Sequence, residues 1–223
     1  MEEEKKDYYK LKFIIIGEQG AGKTSIVSRF VNGGFINEYQ MTIGVDYLSC
    51  DLELDEKLYS LRLWDTAGSE RFRSVNQSYY RNAICALIVY DITDQKSFDS
   101  ISKWIEDCNE CTNENIIKIL VGNKTDLEDQ RKISQQIGRE KANNNMMLFF
   151  ECSALNGYNI ENIFYEACNT ISKNIDEGKY DSEDFEVLGL EKCEVDKDFR
   201  ISKRLSRPSV SSDIIREEKK KCC

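Results

Sequence analysis

From Lys12 to about Lys173, short β-branched and aliphatic runs alternate with stretches whose apolar residues recur every three or four positions. "KFIII" (12–16) leads straight into a glycine-rich turn, the pattern of a strand buried on both faces. Helical spacing follows from Gly22 to Asn32, and "NGG" (32–34) stops it. "GVDYLSCDLEL" (44–54) and "LYSLRLWDT" (58–66) read as two strands joined through the polar turn "DEK" (55–57), a hairpin. "ALIVYDIT" (86–93) and "IIKILVGN" (116–123) are two more buried strands. Between them, residues 97–110 form an amphipathic helix with Phe98, Ile101 and Ile105 on one face. A helix over 133–145, a strand over 147–154 and a closing helix over 159–173 complete the series. Repeated strand–helix units predict an α/β fold: a mixed, mostly parallel six-stranded sheet with helices on both faces.

Beyond Lys173 the apolar period fades, and serines, charges and the chain's only proline, Pro208, take over. The expected organisation is an N-terminal extension (1–9), one domain (10–175) and a flexible C-terminal tail (176–223). A chain of 223 residues, 40% of them hydrophobic, supports one substantial core rather than two. The acidic N-terminus "MEEEKK" gives no reason to expect a secretory leader, and no apolar run approaches the roughly 18 residues of a membrane span.

The nine cysteines do not form a disulfide or zinc pattern. Cys50, Cys85 and Cys152 fall in or beside apolar runs, where a thiol serves as a small hydrophobe. Cys108 and Cys111 make a CxxC, but no second pair follows at zinc spacing and the chain has no histidine. That absence also removes the commonest general base. The net charge of −9 argues against a nucleic-acid partner. It conceals a gradient: residues 174–198 hold ten acids and three bases, and residues 199–223 hold eight bases and three acids. A basic end on an acidic chain points to a local anionic target such as a membrane surface.

"GEQGAGKT" (17–24) matches GxxxxGK[ST] between a predicted strand and a predicted helix. Gly20, Ala21 and Gly22 are small enough for backbone N–H groups to face phosphate oxygens. The helix N-terminus adds positive potential, Lys23 reaches the outer phosphates and the Thr24 hydroxyl can ligate Mg²⁺. The base is named by "NKTD" (123–126) at the end of a later strand. The Asp126 carboxylate can accept both N1–H and the exocyclic amine of guanine, a donor pair that adenine lacks. This disfavours a P-loop ATPase or kinase.

On these motifs the stretch from Lys10 to Lys173 resembles the Ras superfamily of small GTPases. The resemblance implies the P-loop small GTPase fold, GTP or GDP as bound ligand, Mg²⁺ as cofactor, and hydrolysis of GTP to GDP and phosphate. It places Ser25 beside Thr24 in the nucleotide site. Phe35 would pack on the base, Tyr39 over the phosphates, and Thr42 on Mg²⁺ and the γ-phosphate. Asp65 would hold Mg²⁺, and the Gly68 N–H would contact the γ-phosphate. Asn123 would brace the loops and the stem of Lys124 would cover the base. Ser153, Ala154 and Leu155 would surround the base, with the Ala154 N–H on its carbonyl. The family usually has lysine where this chain has Leu155.

"IGVDY" (43–47), "LRLWDTAG" (61–68), "ERFRSV" (70–75), "YYRNA" (79–83) and "IVYDIT" (88–93) are similar to the stretches that set Rab proteins apart. Tyr47, Trp64 and Tyr79 match the aromatic triad through which Rab effectors read the switches. The terminal "KKKCC" resembles a double geranylgeranylation signal on Cys222 and Cys223, with Lys219 to Lys221 favouring anionic lipid. The implied setting is vesicle and protein transport on the cytoplasmic face of intracellular membranes (Golgi/secretory or endosomal), with a cytosolic extracted pool. The implied partners are effectors, an exchange factor, a TBC-type GAP and a GDI-type escort protein.

The family's catalytic set would be Lys23, Thr42, Gly68 and position 69. There the family usually has a glutamine that orients the attacking water, and this chain has Ser69. A serine hydroxyl stops two heavy atoms short of an amide. The expectation is intrinsic turnover below a template rate of about 10⁻⁴ to 10⁻³ per second, each tenfold loss adding about 1.4 kcal/mol of barrier. Two readings stay open: a switch whose GAP supplies the missing groups, and a GTP-bound membrane scaffold that hydrolyses poorly.

Overall fold

The structure is a computed structural model that describes residues 6–35, 42, 45–54, 57–68, 78–180, 191–195 and 201–205. Strand β1 (Lys6–Gly17) runs through the middle of one sheet, with helix α1 (Lys23–Asn32) directly after the glycine-rich turn. β2 (Val45–Leu54) and β3 (Lys57–Thr66) form the antiparallel hairpin. Then come β4 (Cys85–Asp91), α2 (Gln95–Asp99), α3 (Ile101–Cys111) and β5 (Ile117–Asn123). A 3₁₀ turn (Thr125–Gln130), α4 (Gln135–Asn144), β6 (Leu148–Glu151) and α5 (Ile160–Asp176) complete the expected domain. The strand order is β6-β5-β4-β1-β3-β2, parallel throughout except for the β2–β3 hairpin. All six expected strands are present.

The two faces of the sheet bury two separate cores, and the alternation of side chains along the strands assigns each residue to one of them. Leu11, Phe13 and Ile15 of β1, with Leu87 and Val89 of β4, face α1 and α5, where Phe30 stacks on Phe164 at 3.8 Å. Ile14 and Ile16, with Ala86 and Ile88, face α3 and α4, where Ile101, Trp104, Ile105 and Ala142 meet them. The expected helix over 97–110 is two helices, broken at Ser100, whose hydroxyl donates to the Ser97 carbonyl at 2.9 Å. Asp94 caps the first of them by accepting from the Lys96 N–H at 3.1 Å.

At its ends the chain goes beyond expectation. β1 begins at Lys6, within the expected extension, because Tyr8 and Tyr9 are buried and pair in register with Leu58 and Tyr59 of β3. β4 does not reach this half of β1, its pairing starting at Phe13, so an edge is left open. There β7 (Glu191–Val195) adds antiparallel, with Lys192 paired to Asp7 at 3.0 Å. On the outer edge of β2, β8 (Lys203–Arg204) adds parallel, and the N–H groups of Ser202 and Leu205 donate to the carbonyls of Asp51 and Glu53. Lys203 reaches the Phe30 carbonyl at 3.2 Å and Glu161 at 2.7 Å, while Leu205 and Tyr180 enter the core that faces α1 and α5. Among the described residues the sheet therefore has eight strands. Two segments of the part expected to be flexible pair with open stretches of this sheet, at the start of β1 and at Leu52–Glu53 of β2, because unpaired edge N–H and C=O groups are templates for any extended segment within reach.

Leu205 anchors the second of these segments. Leu205→Ala is expected to weaken it by about 2 kcal/mol, at the low end for buried leucine. Amide exchange at positions 202 and 205 should speed up accordingly, and unchanged exchange there would show that the side chain is not the anchor.

Candidate functional site

The site lies where parallel strands end: β1 at Gly17, β3 at Thr66, β4 at Asp91 and β5 at Asn123 all deliver their loops to one edge. Ligands of open α/β sheets bind at such C-terminal edges. Register enforces the alignment, with Ile15 beside both Asp65 and Leu87, and Asp91 beside Asn123. Thr66 fastens β3 to β1 by donating its hydroxyl to the Ile15 carbonyl at 2.8 Å.

Glycine is required at two points of the 17–24 loop. A Cβ on Gly17 (φ 137°) would sit 2.1 Å from the Val89 carbonyl oxygen, and one on Gly22 (φ 92°) 2.2 Å from Nδ2 of Asn123. Ala21 is buried, and Gly20 also takes a positive φ of 82°. The loop curls round Lys23, whose ammonium donates to the carbonyls of Gly17 (3.0 Å) and Glu18 (3.1 Å). Only 6% of Lys23 is exposed, and burial lowers its pKa to about 8, with Asp65 and Glu18 pulling it partly back up. A buried cation held by carbonyls alone lacks a full counter-charge, which a phosphate would supply. Gly68 presses on the same group: a Cβ there would lie 2.5 Å from both Lys23 Nζ and Gln19 N.

Thr24, Thr42 and Asp65 come together at this end of the site. The Thr24 hydroxyl donates to Asp65 Oδ2 at 2.5 Å and lies 2.9 Å from the Thr42 hydroxyl. Asp65 is 2% exposed, burial raises its pKa, and its Oδ1 is buried without a hydrogen-bond partner. An orphaned carboxylate oxygen beside two hydroxyls is a hard-donor set that fits Mg²⁺. Among the described residues no three His, Cys, Asp or Glu side chains gather into a metal site, so such an ion would draw its other donors from phosphate and water. Ser25 lies in the first turn of α1 beside this cluster.

The base end is built around Asn123, which is 1% exposed. Its Nδ2 donates to the Ala21 carbonyl at 2.9 Å, and its Oδ1 accepts from the Ala154 N–H at 3.1 Å. The Ala154 N–H expected on the guanine carbonyl is thus already engaged. Ser153 donates its hydroxyl to Asp126 Oδ1 at 2.5 Å, which orients the carboxylate. Lys124 takes a left-handed backbone (φ 74°), and its ammonium is fixed by Asp91 at 2.6 Å. Leu155 is 46% exposed at the rim, and Phe35 packs partly against the core beside α1. Asp91 and Arg29 were not foreseen. Arg29 holds three carbonyls around this site, and Asp91 could have been suspected only from its place at a strand end.

Tyr47, Trp64 and Tyr79 form one cluster: Tyr47 meets the indole edge-on at 5.3 Å and Tyr79 lies 5.5 Å away on a tilted plane. Lys12 stands 4.8 Å over the Trp64 ring. Cys108 is buried, with burial pushing both its thiol and that of Cys111 up, so the CxxC is a packing feature. Tyr39, Ser69, Cys222 and Cys223 lie outside the described residues. No helix among the described residues is long and apolar enough to cross a membrane.

The fold and this loop set define a P-loop protein of the α/β class. A family model described as "Ras: Ras family" matches residues 12–173, and the chain belongs to that family. It is a GTP-binding small GTPase, and proteins of this kind act as switches through effectors, exchange factors and GAPs.

The lowered pKa of Lys23 has a testable sign. Between its folded value of about 8 and the ordinary 10.5, the unfolded chain binds a proton that the folded chain does not, so this group makes stability rise with pH across that window. In nucleotide-stripped protein, denaturant melts at several pH values should show wild type gaining on Lys23→Met from pH 8 upward. A constant difference would contradict the assignment.

Proposed function

We propose that this small GTPase is a Rab-type switch for vesicle and membrane trafficking, and that it hydrolyses GTP slowly. The aromatic cluster carries the Rab assignment. Tyr47, Trp64 and Tyr79 come from β2, β3 and the segment before β4, which lie on either side of the two switch segments. Tyr47 leaves 46% of its surface exposed. A large aromatic side chain left that open, in contact with two further rings, favours recognition by a partner over plain core packing.

In the proposed mechanism Lys23 and the loop amides hold the phosphates. Thr24, Thr42 and Asp65 hold Mg²⁺, which neutralises charge on the phosphate oxygens when bound. Asp126, held by Ser153, selects guanine. The Gly68 N–H senses the γ-phosphate beside Lys23. Ser69 is too short to align the attacking water, so the GTP state persists until a TBC-type GAP supplies the missing groups in trans. Prenyl groups on Cys222 and Cys223 anchor the chain on the cytoplasmic face of Golgi/secretory or endosomal membranes, and a GDI-type escort extracts it.

Single-turnover hydrolysis of bound GTP tests this reading. Ser69→Gln should be at least about tenfold faster than wild type, equivalent to 1.4 kcal/mol of barrier, and a TBC-type GAP should close the gap. Equal intrinsic rates would refute the role given to Ser69. A gap that no GAP closes would favour the GTP-bound scaffold.

A further inference from the structure

Lys203, Arg204 and Leu205, the segment around β8, all have partners on the domain. The N–H groups of Ser202 and Leu205 donate to the carbonyls of Asp51 at 2.8 Å and Glu53 at 3.1 Å. Lys203 stands 4.6 Å over the Phe30 ring, donates to the Phe30 carbonyl in the last turn of α1 and pairs with Glu161 in the first turn of α5. Arg204 Nε pairs with the Glu53 carboxylate at 2.9 Å, and Leu205 is 6% exposed in the core that faces α1 and α5.

In sequence these residues lead into Ser206, and "KRLS" (203–206) places bases three and two positions before a hydroxyl. Basophilic protein kinases read this spacing: their acidic groups pair with both bases, and the substrate must lie extended and unpaired through the hydroxyl. The domain uses the same residues otherwise. Glu161 and Glu53 hold the bases, β2 holds the backbone and the core holds Leu205, so the docked segment cannot enter a kinase groove. Ser206 lies outside the described residues, but the residues through which a kinase would recognise it do not.

We propose that Ser206 is a phosphorylation site withheld by the docking of β8, and that the phosphate, once added, keeps β8 off β2. In the transfer the Ser206 hydroxyl oxygen bonds to the γ-phosphorus of ATP as the bond to ADP breaks, and the hydroxyl proton passes to the kinase's base. A phosphoserine carries a charge of about −1.5 to −2 and three strong acceptor oxygens. One residue after Leu205, whose N–H is bound to the Glu53 carbonyl, it repels the Glu53 carboxylate. It also offers Lys203 and Arg204 a doubly charged partner in place of Glu161 and Glu53. Release bares the β2 edge at Leu52–Glu53 and empties the place of Leu205 in the core. The proposal depends neither on the guanine reading nor on lipidation of Cys222 and Cys223.

The test uses the catalytic subunit of cyclic-AMP-dependent kinase with ATP, acting on the full chain and on a peptide of residues 199–212, with phosphate at Ser206 followed by mass spectrometry. Modification of a segment that opens and recloses quickly tracks its open population, so the wild-type chain should react at least about tenfold more slowly than the peptide. The double variant Glu53→Gln, Glu161→Gln leaves the motif intact and should recover most of that difference. If it does not fold, Leu205→Ala is compared with the matching Leu205→Ala peptide and should show the same recovery. In the phosphorylated chain the amides of residues 202 and 205 should exchange faster than in the unmodified one, while those of β4 and β5 keep their rates. A wild-type chain as fast as the peptide, a peptide left unphosphorylated, variants no faster than wild type, or unchanged exchange at 202 and 205 would each overturn the proposal.

Discussion

Three loops of the nucleotide site meet on the side-chain amide of Asn123. It holds the phosphate loop through the Ala21 carbonyl, the 152–155 loop through the Ala154 N–H and the Cys152 thiol, and it leaves Gly22 no room for a side chain. Breaking this node would strand a buried carbonyl and a buried N–H, each costing about 1–3 kcal/mol. That is comparable to a large part of the stability of a marginal domain, which is usually only about 5–15 kcal/mol. The node therefore makes the phosphate end and the base end of the pocket a single rigid object.

Around it the electrostatics are deliberately incomplete. Lys23 is buried against carbonyls, Asp65 keeps one oxygen without a partner, and burial disfavours the charged form of both. Each would be relieved by a ligand of opposite sign, phosphate for the lysine and a hard cation for the carboxylate. The fold tolerates these groups because Asp65 stands near the end of β3 and Lys23 opens α1 just after the loop that leaves β1, both against a sheet that is buried on two faces and tied by Thr66 to β1.

Much of this was legible in the residues. The run "KFIII" announced a strand buried on both sides, and its odd and even positions do divide between the two cores. The P-loop and "NKTD" could be read because their chemistry needs particular side chains at fixed spacing. Arg29 could not be found this way. Its partners are backbone carbonyls, which leave no trace in sequence, and an arginine on a helix reads as solvated. β7 and β8 were hidden for a related reason: "EKCEV" and "KR" show no apolar period, and they pair through main-chain groups and ion pairs with residues far away in the chain. The break between α2 and α3 was masked by helical spacing that continues across Ser100.

The account stands on a guanine pocket held together by Asn123, and the nucleotide retained by the purified chain tests this most directly. Wild type and Asn123→Ala would be purified side by side, desalted and denatured, and the released nucleotide identified by chromatography. The account predicts near-stoichiometric guanine nucleotide on the wild type and little on the variant. Adenine nucleotide on the wild type, or undiminished guanine nucleotide on Asn123→Ala, would contradict it.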